Sequence, residues 1–246
     1  MRIPLAGVLL ALAAVPAGAQ WPPQIKNLQV LPKDIKVAAL IDTMKGFTRA
    51  LGVRCTYCHV GNESDPLDKY DFASDDRAPK DKARVMLRMV NAINTQHLTT
   101  LSSRRDPPIV VTCITCHHGL TQPRTIQQVV LTAYQAGGVD SAVATYRALR
   151  TRYYGSAAYD FGEVPLTDVA AAAQSQGKSD DAIRLYKLNI ELLPASGFAY
   201  RQLGFQYLEI HDTASALTAF NKRLELQPNN PEAKQLVDQL TKKPAH

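Results

Sequence analysis

The sequence predicts an all-α protein in which a helical module with two similar cysteine motifs is followed by repeated helix pairs. Three observations support this fold class. Apolar residues recur at helical spacing before both motifs, the second half of the chain repeats itself at a shift of 34 residues, and Cys and Met are absent beyond Arg124. The 246 residues are therefore expected to form two modest domains rather than one large core.

The first 19 residues have the three parts of a secretory signal peptide. Met1 and Arg2 give a short positive start, residues 3–15 are apolar but too few to cross a bilayer, and residues 17–19 supply small side chains before a cleavage site. We therefore expect a periplasmic or other extracytoplasmic location, with Gln20 as the first residue of the mature chain. The later sequence contains no apolar run long enough for a transmembrane helix.

The formal net charge of +6 comes from basic residues that are scattered along the chain. They do not form the sustained basic run with interleaved aromatic side chains that is typical of a nucleic-acid interface. The charge pattern therefore gives little support to nucleic-acid binding.

Two amphipathic helices are predicted, one before each motif. The first begins near Asp34 and ends at Gly52. Residues 61–76 are acidic and rich in turn formers, which indicates a loop. The second helix spans residues 79–101, and the two prolines at residues 107–108 separate it from the second motif. The apolar faces of the two helices comprise Val37, Leu40, Ile41, Met44, Phe47 and Leu51, and Val85, Met86, Met89, Val90 and Ile93.

All four cysteines lie in two Cys-x-x-Cys-His motifs, CTYCH at residues 55–59 and CITCH at residues 113–117. This spacing is typical of c-type haem attachment, because two thiols reach the vinyl groups of one porphyrin while the next imidazole binds the iron. A zinc site gives no reason for His to follow both pairs, and a disulfide within such a pair forms a redox-active loop rather than a structural link. The motifs therefore predict two covalently bound haem c groups. The attaching cysteines are Cys55, Cys58, Cys113 and Cys116, and the proximal iron ligands are His59 and His117.

The sixth ligand of each iron determines what the haem can do. A methionine thioether gives a closed iron with a raised potential, suited to electron transfer, whereas an open position allows peroxide chemistry. Three methionines remain after signal cleavage, Met44, Met86 and Met89, and all lie on the two helices that precede the motifs. Each would also suit an apolar core. Met44 is predicted to bind the first iron, because its helix runs directly into the attachment loop.

The ligand of the second iron is less closely specified. Met86 and Met89 lie three residues apart and face similarly, so only one of them can bind. His97, His118 and His211 are rival ligands. His118 directly follows a proximal ligand and cannot easily reach the opposite face of its haem, while His97 is expected at the surface.

Several segments of this sequence resemble the multihaem cytochrome c subunit of photosynthetic reaction centres and shorter two-haem relatives from bacteria. They are residues 52–59, residues 83–89 with 92–94, and residues 111–117, within a resemblance that covers residues 32–124. The resemblance implies that Met44 and Met86 are the sixth ligands and that Met89 is a packing neighbour. The reaction-centre subunit carries four haems, one of them with two histidine ligands, whereas this chain has two attachment motifs.

The second half of the chain has the 34-residue period of tetratricopeptide repeats. Residues 181–194 map onto residues 215–228 at this shift. An imperfect copy begins at Asp140, with residues 153–162 as an insertion, and residues 232–240 are expected to form a terminal capping helix. The pattern predicts three helix pairs and a cap. The predicted organisation is a signal peptide over residues 1–19, a dihaem cytochrome c domain over residues 20–124 and a tetratricopeptide repeat domain over residues 125–246.

Together these features predict a periplasmic dihaem c-type cytochrome that relays single electrons between redox partners and docks a protein on its repeat domain. The side chains of Arg84, Arg88 and Arg124 are expected either to pair with haem propionates or to face solvent.

The alternative function is a dihaem peroxidase-like oxidoreductase with one open haem site. It requires a distal acid or base, for which Glu63, Asp65 and Asp68 of the acidic loop are candidates. The irregular spacing of these carboxylates indicates a solvated loop rather than a calcium site. A scaffold built on the repeats alone would leave both haem motifs unexplained.

Overall fold

The computed structural model describes residues 25–102 and 106–242, and within these ranges the chain forms nine α-helices and no β-strand. The prediction of an all-α fold is therefore confirmed. The predicted signal peptide at residues 1–19 lies outside the described residues. The helices are α1 (Val37–Leu51), α2 (Ala78–Ala92), α3 (Cys113–His117), α4 (Ile126–Tyr153), α5 (Glu163–Ser175), α6 (Ser179–Leu192), α7 (Gly197–Glu209), α8 (Thr213–Leu226) and α9 (Pro231–Lys242).

The chain divides into two compact units, whose boundary falls between Cys116 and His117. The first unit contains α1, α2 and most of α3, and the second contains α4 to α9. The proposed domain limits at residues 124 and 125 stay a prediction. Thr125 forms the N-terminal cap of α4, because its hydroxyl accepts from the Gln128 N–H and the Gln128 side chain accepts from the Thr125 N–H.

Helix α1 ends where the sequence predicts. Gly52 adopts a left-handed conformation with φ 65°, which a residue without Cβ accepts at little cost, and this turns the chain out of the helix. The next residues enter the first cysteine motif. The C-terminus of α1 therefore leads directly into the attachment loop.

Helix α2 is shorter than the predicted helix over residues 79–101. Regular α-helix ends at Ala92 and continues as a π-helical turn over Ile93–His97 and a 3₁₀ turn over Leu98–Thr100. Hydroxyls of this segment compete for backbone carbonyls, because Thr95 donates to the carbonyl of Asn91 and Thr99 donates to that of Thr95. The apolar pattern gives no sign of this change in winding.

The second unit confirms the predicted tetratricopeptide repeats. Helices α5, α7 and α9 begin at Glu163, Gly197 and Pro231, and successive starts are therefore 34 residues apart. Helix α4 bends at Gly137 and Gly138, where φ and ψ are not helical, so its two arms act as the first helix pair. Within residues 106–242 the structure thus contains the three pairs and the terminal helix that the repeat predicts.

The close contact between α7 and α8 explains why position 204 is a glycine. A Cβ on Gly204 in α7 would lie 2.6 Å from Cε1 of Phe220 in α8. The backbone of α7 can therefore approach α8 only because no side chain stands between them. The core cluster of this unit includes Ile126, Val130, Tyr134, Tyr146, Leu166, Val169, Leu185 and Tyr186.

No helix among the described residues is both long enough and apolar enough to span a membrane.

Candidate functional site

The first cysteine motif forms one tight turn that presents its ligands together. Residues Cys55–Tyr57 make a 3₁₀ turn, and the N–H groups of Cys58 and His59 both donate to the carbonyl of Cys55, at 3.2 and 2.9 Å. All four cysteines of the chain are free thiols in the structure. Burial is the main cause that raises the pKa of the Cys58 thiol. The turn brings two thiols and one imidazole within a single loop.

A cavity of about 390 Å³ in the first unit is lined by Cys58, His59 and Met44. Helices α1 and α2 each line the cavity with residues that lie three or four positions apart, and so share one side of their helix. Met44 lies on that side of α1. The described side chains that α1 and α2 place on the cavity wall are Val37, Leu40, Met44 and Phe47, and Lys80, Ala83, Arg84 and Leu87. Three of the residues predicted for the first haem therefore meet in one largely apolar cavity. Cys55 lies in the same turn without lining it.

The imidazole of His59 is packed against an aromatic side chain. The rings of His59 and Phe72 meet edge to face, with centroids 5.0 Å apart, and Tyr70 stacks on Phe72 at 5.5 Å. Burial lowers the pKa of His59, and the positive charge of Lys80 lowers it further. A neutral imidazole is the form that binds a metal. Thiol, imidazole, thioether and apolar walls together fit a covalently attached haem.

Residues 25–31, which we call the strap, line the same cavity and are hydrogen-bonded to Asp75. Asn27, at φ 61°, donates its side-chain amide to the carbonyl of Ala73 at 2.6 Å and to Asp75 Oδ1 at 2.9 Å. The Gln29 amide reaches the other carboxylate oxygen at 3.4 Å. The strap is therefore tied across 46 to 48 residues of sequence, which no local pattern could have indicated.

Arg84 is buried, with 7 % of its surface exposed, and does not lie on a solvated face. Its guanidinium pairs with Asp75 at 2.8 Å and with Asp81 at 2.5 Å. Its hydrogen bond holds the pKa of the Asp75 carboxyl well below the usual range. Of the other predicted propionate partners, Arg88 is exposed and Arg124 donates to the backbone of Gln128 and the hydroxyl of Thr132.

The second motif forms the short helix α3, and its histidine is oriented by the backbone that follows. His117 Nδ1 lies 2.7 Å from the carbonyl oxygen of Leu120, so Nδ1 donates to this carbonyl and Nε2 keeps its lone pair. His118 at φ 49° and Gly119 at φ 89° turn the chain so that the buried Leu120 returns to His117. The His118 side chain is exposed. His97 is likewise exposed, as expected.

Met86 and Met89 lie on the face of α2 opposite to the one that lines the first cavity. Their exposed fractions are 39 % and 46 %, so both thioethers are accessible to a metal. Other large apolar side chains of this unit are also exposed in the described residues, among them Val85, Leu101, Ile109, Val110 and Ile114. An apolar group such as a haem would remove this surface from water. The structure does not separate Met86 from Met89, and Met86 stays the predicted ligand.

Three parts of the site were missed from sequence. The strap lines the first cavity, and the carboxylate of Asp75 binds the strap without lining the cavity itself. Lys80 also lies on the cavity wall, at the first turn of α2. A contact between residues far apart in the chain leaves no periodic signal.

Comparison with known proteins agrees with this geometry. Residues 11–184 match the family described as photosynthetic reaction centre cytochrome C subunit. Cytochrome c-554 of Chloroflexus aurantiacus is 34% identical over 107 residues, a match that takes in 42% of this chain and 23% of that protein.

Solved tetratricopeptide and chaperone structures are similar to about half of this chain. The first tetratricopeptide domain of human RPAP3 is 21% identical, with 47% of this chain and 87% of that chain covered and a TM-score of 0.33. PcrH of Pseudomonas aeruginosa is 19% identical, with 47% and 83% covered and a TM-score of 0.30. The family match, in contrast, extends over more than half of the chain. This chain, whose first unit gathers a Cys-x-x-Cys-His turn and a methionine around one cavity, therefore belongs to the photosynthetic reaction centre cytochrome c subunit family.

Proposed function

We propose that this c-type cytochrome is a periplasmic dihaem protein that relays single electrons and docks a protein partner on its repeat domain. The observation that carries the proposal is the first cavity, where Cys58, His59 and Met44 line one apolar space. A haem held there supplies a one-electron ferric/ferrous couple. Cys55 and Cys58 would attach it, and His59 and Met44 would bind its iron.

The protein's part in electron transfer is to hold this couple in a rigid and largely dry setting. Apolar side chains of α1, together with Ala83 and Leu87 of α2, form much of the cavity wall, and the strap borders it. Asp75 keeps the strap in place through hydrogen bonds to Asn27 and Gln29. Fixed surroundings keep the reorganisation on electron transfer small.

The second haem of the proposal would be attached by Cys113 and Cys116 and bound by His117, with Met86 as sixth ligand. The hydrogen bond from His117 Nδ1 to the Leu120 carbonyl supports the role of His117, since it leaves Nε2 available for the iron. The exposed apolar face of α2 supports a haem next to Met86.

The periplasmic location rests on the predicted signal peptide and on the chemistry of the cofactor. Haem attachment requires reduced thiols that meet haem outside the inner membrane, so export and the two motifs support each other.

Docking on the repeat domain rests on its helix pairs. Exposed positions on α5 include Val164, Asp168 and Ala171, and the half-buried positions 34 residues later on α7 are Phe198, Gln202 and Phe205. Side chains therefore differ at equivalent places along an otherwise regular array. Repeat arrays use such variable surfaces to bind peptides or helices.

The test is a redox titration of the purified, exported protein, followed by visible absorption and magnetic circular dichroism. We expect two low-spin haems per chain, each with His and Met ligands and each taking up one electron. Met44→His should keep the first iron six-coordinate but lower its potential. A stable five-coordinate haem with peroxide turnover would instead favour the peroxidase-like alternative.

A further inference from the structure

Among residues 25–102 and 106–116, Lys80 is the cation with the most hydrogen-bond partners. Its ammonium group donates to the backbone carbonyls of Phe72, Ala73 and Ser74, at 3.0, 3.1 and 2.6 Å. It also lies 3.1 Å from Asp75 Oδ1, and its side chain is only 12% exposed. An ammonium has three donors, and all of them are used on this loop.

The loop that Lys80 holds is the one that packs on the proximal histidine. Phe72 carries the ring that meets the imidazole of His59 edge to face. At the start of the loop, the Asp71 N–H donates to the carbonyl of Val60, the residue after His59, at 2.9 Å. Lys80 therefore fixes the wall against which His59 rests.

Lys80 belongs to a network of two cations, Lys80 and Arg84, and three carboxylates, those of Asp71, Asp75 and Asp81, so a neutral residue at position 80 removes one positive charge from this network. Asp75, the ion-pair partner of Lys80, is shared with Arg84, which lies 2.8 Å from the same carboxylate oxygen. The Asp71 carboxylate is directed to the N–H groups of Ala73 and Ser74. Arg84 also pairs with Asp81, at the outer end of this network.

Lys80 also lines the cavity together with Met44 and His59. A positive charge near a haem favours the ferrous form, because the ferric iron carries one more positive charge. Lys80 therefore acts on this site in two ways. It holds the Phe72 segment by hydrogen bonds, and it places a positive charge at the cavity wall.

We propose that Lys80 is a positioning residue for the first haem, which holds the loop of residues 71–75 against His59 and raises the reduction potential of that haem. This inference rests on the proposed function, because it requires a haem at the first motif. Lys80 acts through Phe72 and through its charge, without binding the iron.

The experiment compares four variants of the full-length haem-loaded protein. Lys80→Met removes both the charge and the donors, Lys80→Gln keeps a donor without the charge, and Lys80→Arg keeps the charge. Lys82→Met is the matched control, because Lys82 lies on the same helix with an exposed side chain. The potential of each haem is measured by redox titration. The transition of the first haem is identified as the one that remains when Cys113 and Cys116 are both replaced by Ser.

At the midpoint of the wild-type first haem, Lys80→Met and Lys80→Gln should lower the ferrous-to-ferric ratio about tenfold, which is ~59 mV for a one-electron couple. Lys80→Arg should restore most of the wild-type ratio, and Lys82→Met should leave it unchanged. The second haem should titrate as in the wild type in all four proteins.

Equal potentials of the first haem in Lys80→Gln and Lys80→Arg would overturn the inference, even if Lys80→Met does not take up its haem. An equal shift of both haems would also overturn it, because that indicates a general change of charge. Absence of a haem at the first motif of the wild type would instead overturn the proposed function.

Discussion

The side-chain amide of Asn94 forms both of its hydrogen bonds with the backbone of one residue, Val111. Asn94 Nδ2 donates to the Val111 carbonyl at 2.7 Å, and the Val111 N–H donates to Asn94 Oδ1 at 2.8 Å. Val111 lies two residues before Cys113, and Asn94 lies in the turn that continues α2. This pair therefore joins the helix that carries Met86 to the segment that carries the second pair of cysteines.

Loss of this pair should loosen the second site. Asn94→Ala leaves two partly buried backbone groups of Val111 without partners, which we expect to cost about 1–3 kcal/mol of unfolding free energy. The second haem should keep its thioether links but lose part of its methionine ligation. Denaturant unfolding and magnetic circular dichroism measure the two effects. Asn91→Ala, at an exposed position of α2, should change neither.

The assignment within the methionine pair can be tested directly. Met86→Leu should abolish the methionine signal of the second haem, whereas Met89→Leu should leave the spectrum nearly unchanged, because Leu fills a similar volume. Both side chains are exposed, so neither substitution should disturb a packed core. Near-infrared magnetic circular dichroism reads the ligand. The reverse result would transfer the ligand role to Met89.

These sites show which parts of the molecule are predictable from sequence. The end of α1 at Gly52 and the 34-residue period are local or periodic features, and the structure confirms both. Within residues 93–97, Asn94 binds its remote partner Val111, a contact that no periodicity records. The burial of Arg84 was equally hidden, because its partner Asp75 lies in a loop that reads as solvated. Polar contacts between residues far apart in the chain are recognised only once the folded structure is known.

The close approach of α7 and α8 predicts the effect of a single methyl group. Gly204→Ala would place a Cβ 2.6 Å from Cε1 of Phe220, so we expect a loss of about 2 kcal/mol of unfolding free energy in the repeat domain. The haem absorption should stay as in the wild type. In contrast, Gly46→Ala in α1 meets nothing within 4 Å and should stabilise its helix by about 0.5–1 kcal/mol. Far-UV circular dichroism during urea unfolding follows both changes. Equal effects of the two substitutions would be incompatible with the packing described.

The stability of the repeat domain should also depend on alkaline pH. Tyr134 is buried and donates to Asp181 Oδ2 at 2.8 Å, and burial, followed by that hydrogen bond, raises the pKa of Tyr134 to about 12. Because the folded pKa lies above the unfolded value of about 10, this contribution to stability is complete below pH ~10 and is lost as the pH rises through about 12.

Tyr134→Phe removes that pH-dependent contribution. The difference in unfolding free energy between wild type and variant should therefore shrink between pH ~10 and pH ~12, as measured by urea unfolding at each pH. Other groups that titrate in this range are common to both proteins and cancel in the difference. A constant difference across the range would show that Tyr134 does not ionise as its surroundings require.

The number of covalently bound haems tests the central claim most directly. Intact-mass measurement of the exported protein, produced with the haem-attachment machinery present, should show two haems per chain. Replacement of Cys58 or of Cys116 by Ser should impair attachment at one motif only, so that each variant retains one fully attached haem. A wild-type mass that corresponds to four free thiols, or to bound zinc without haem, would contradict the account.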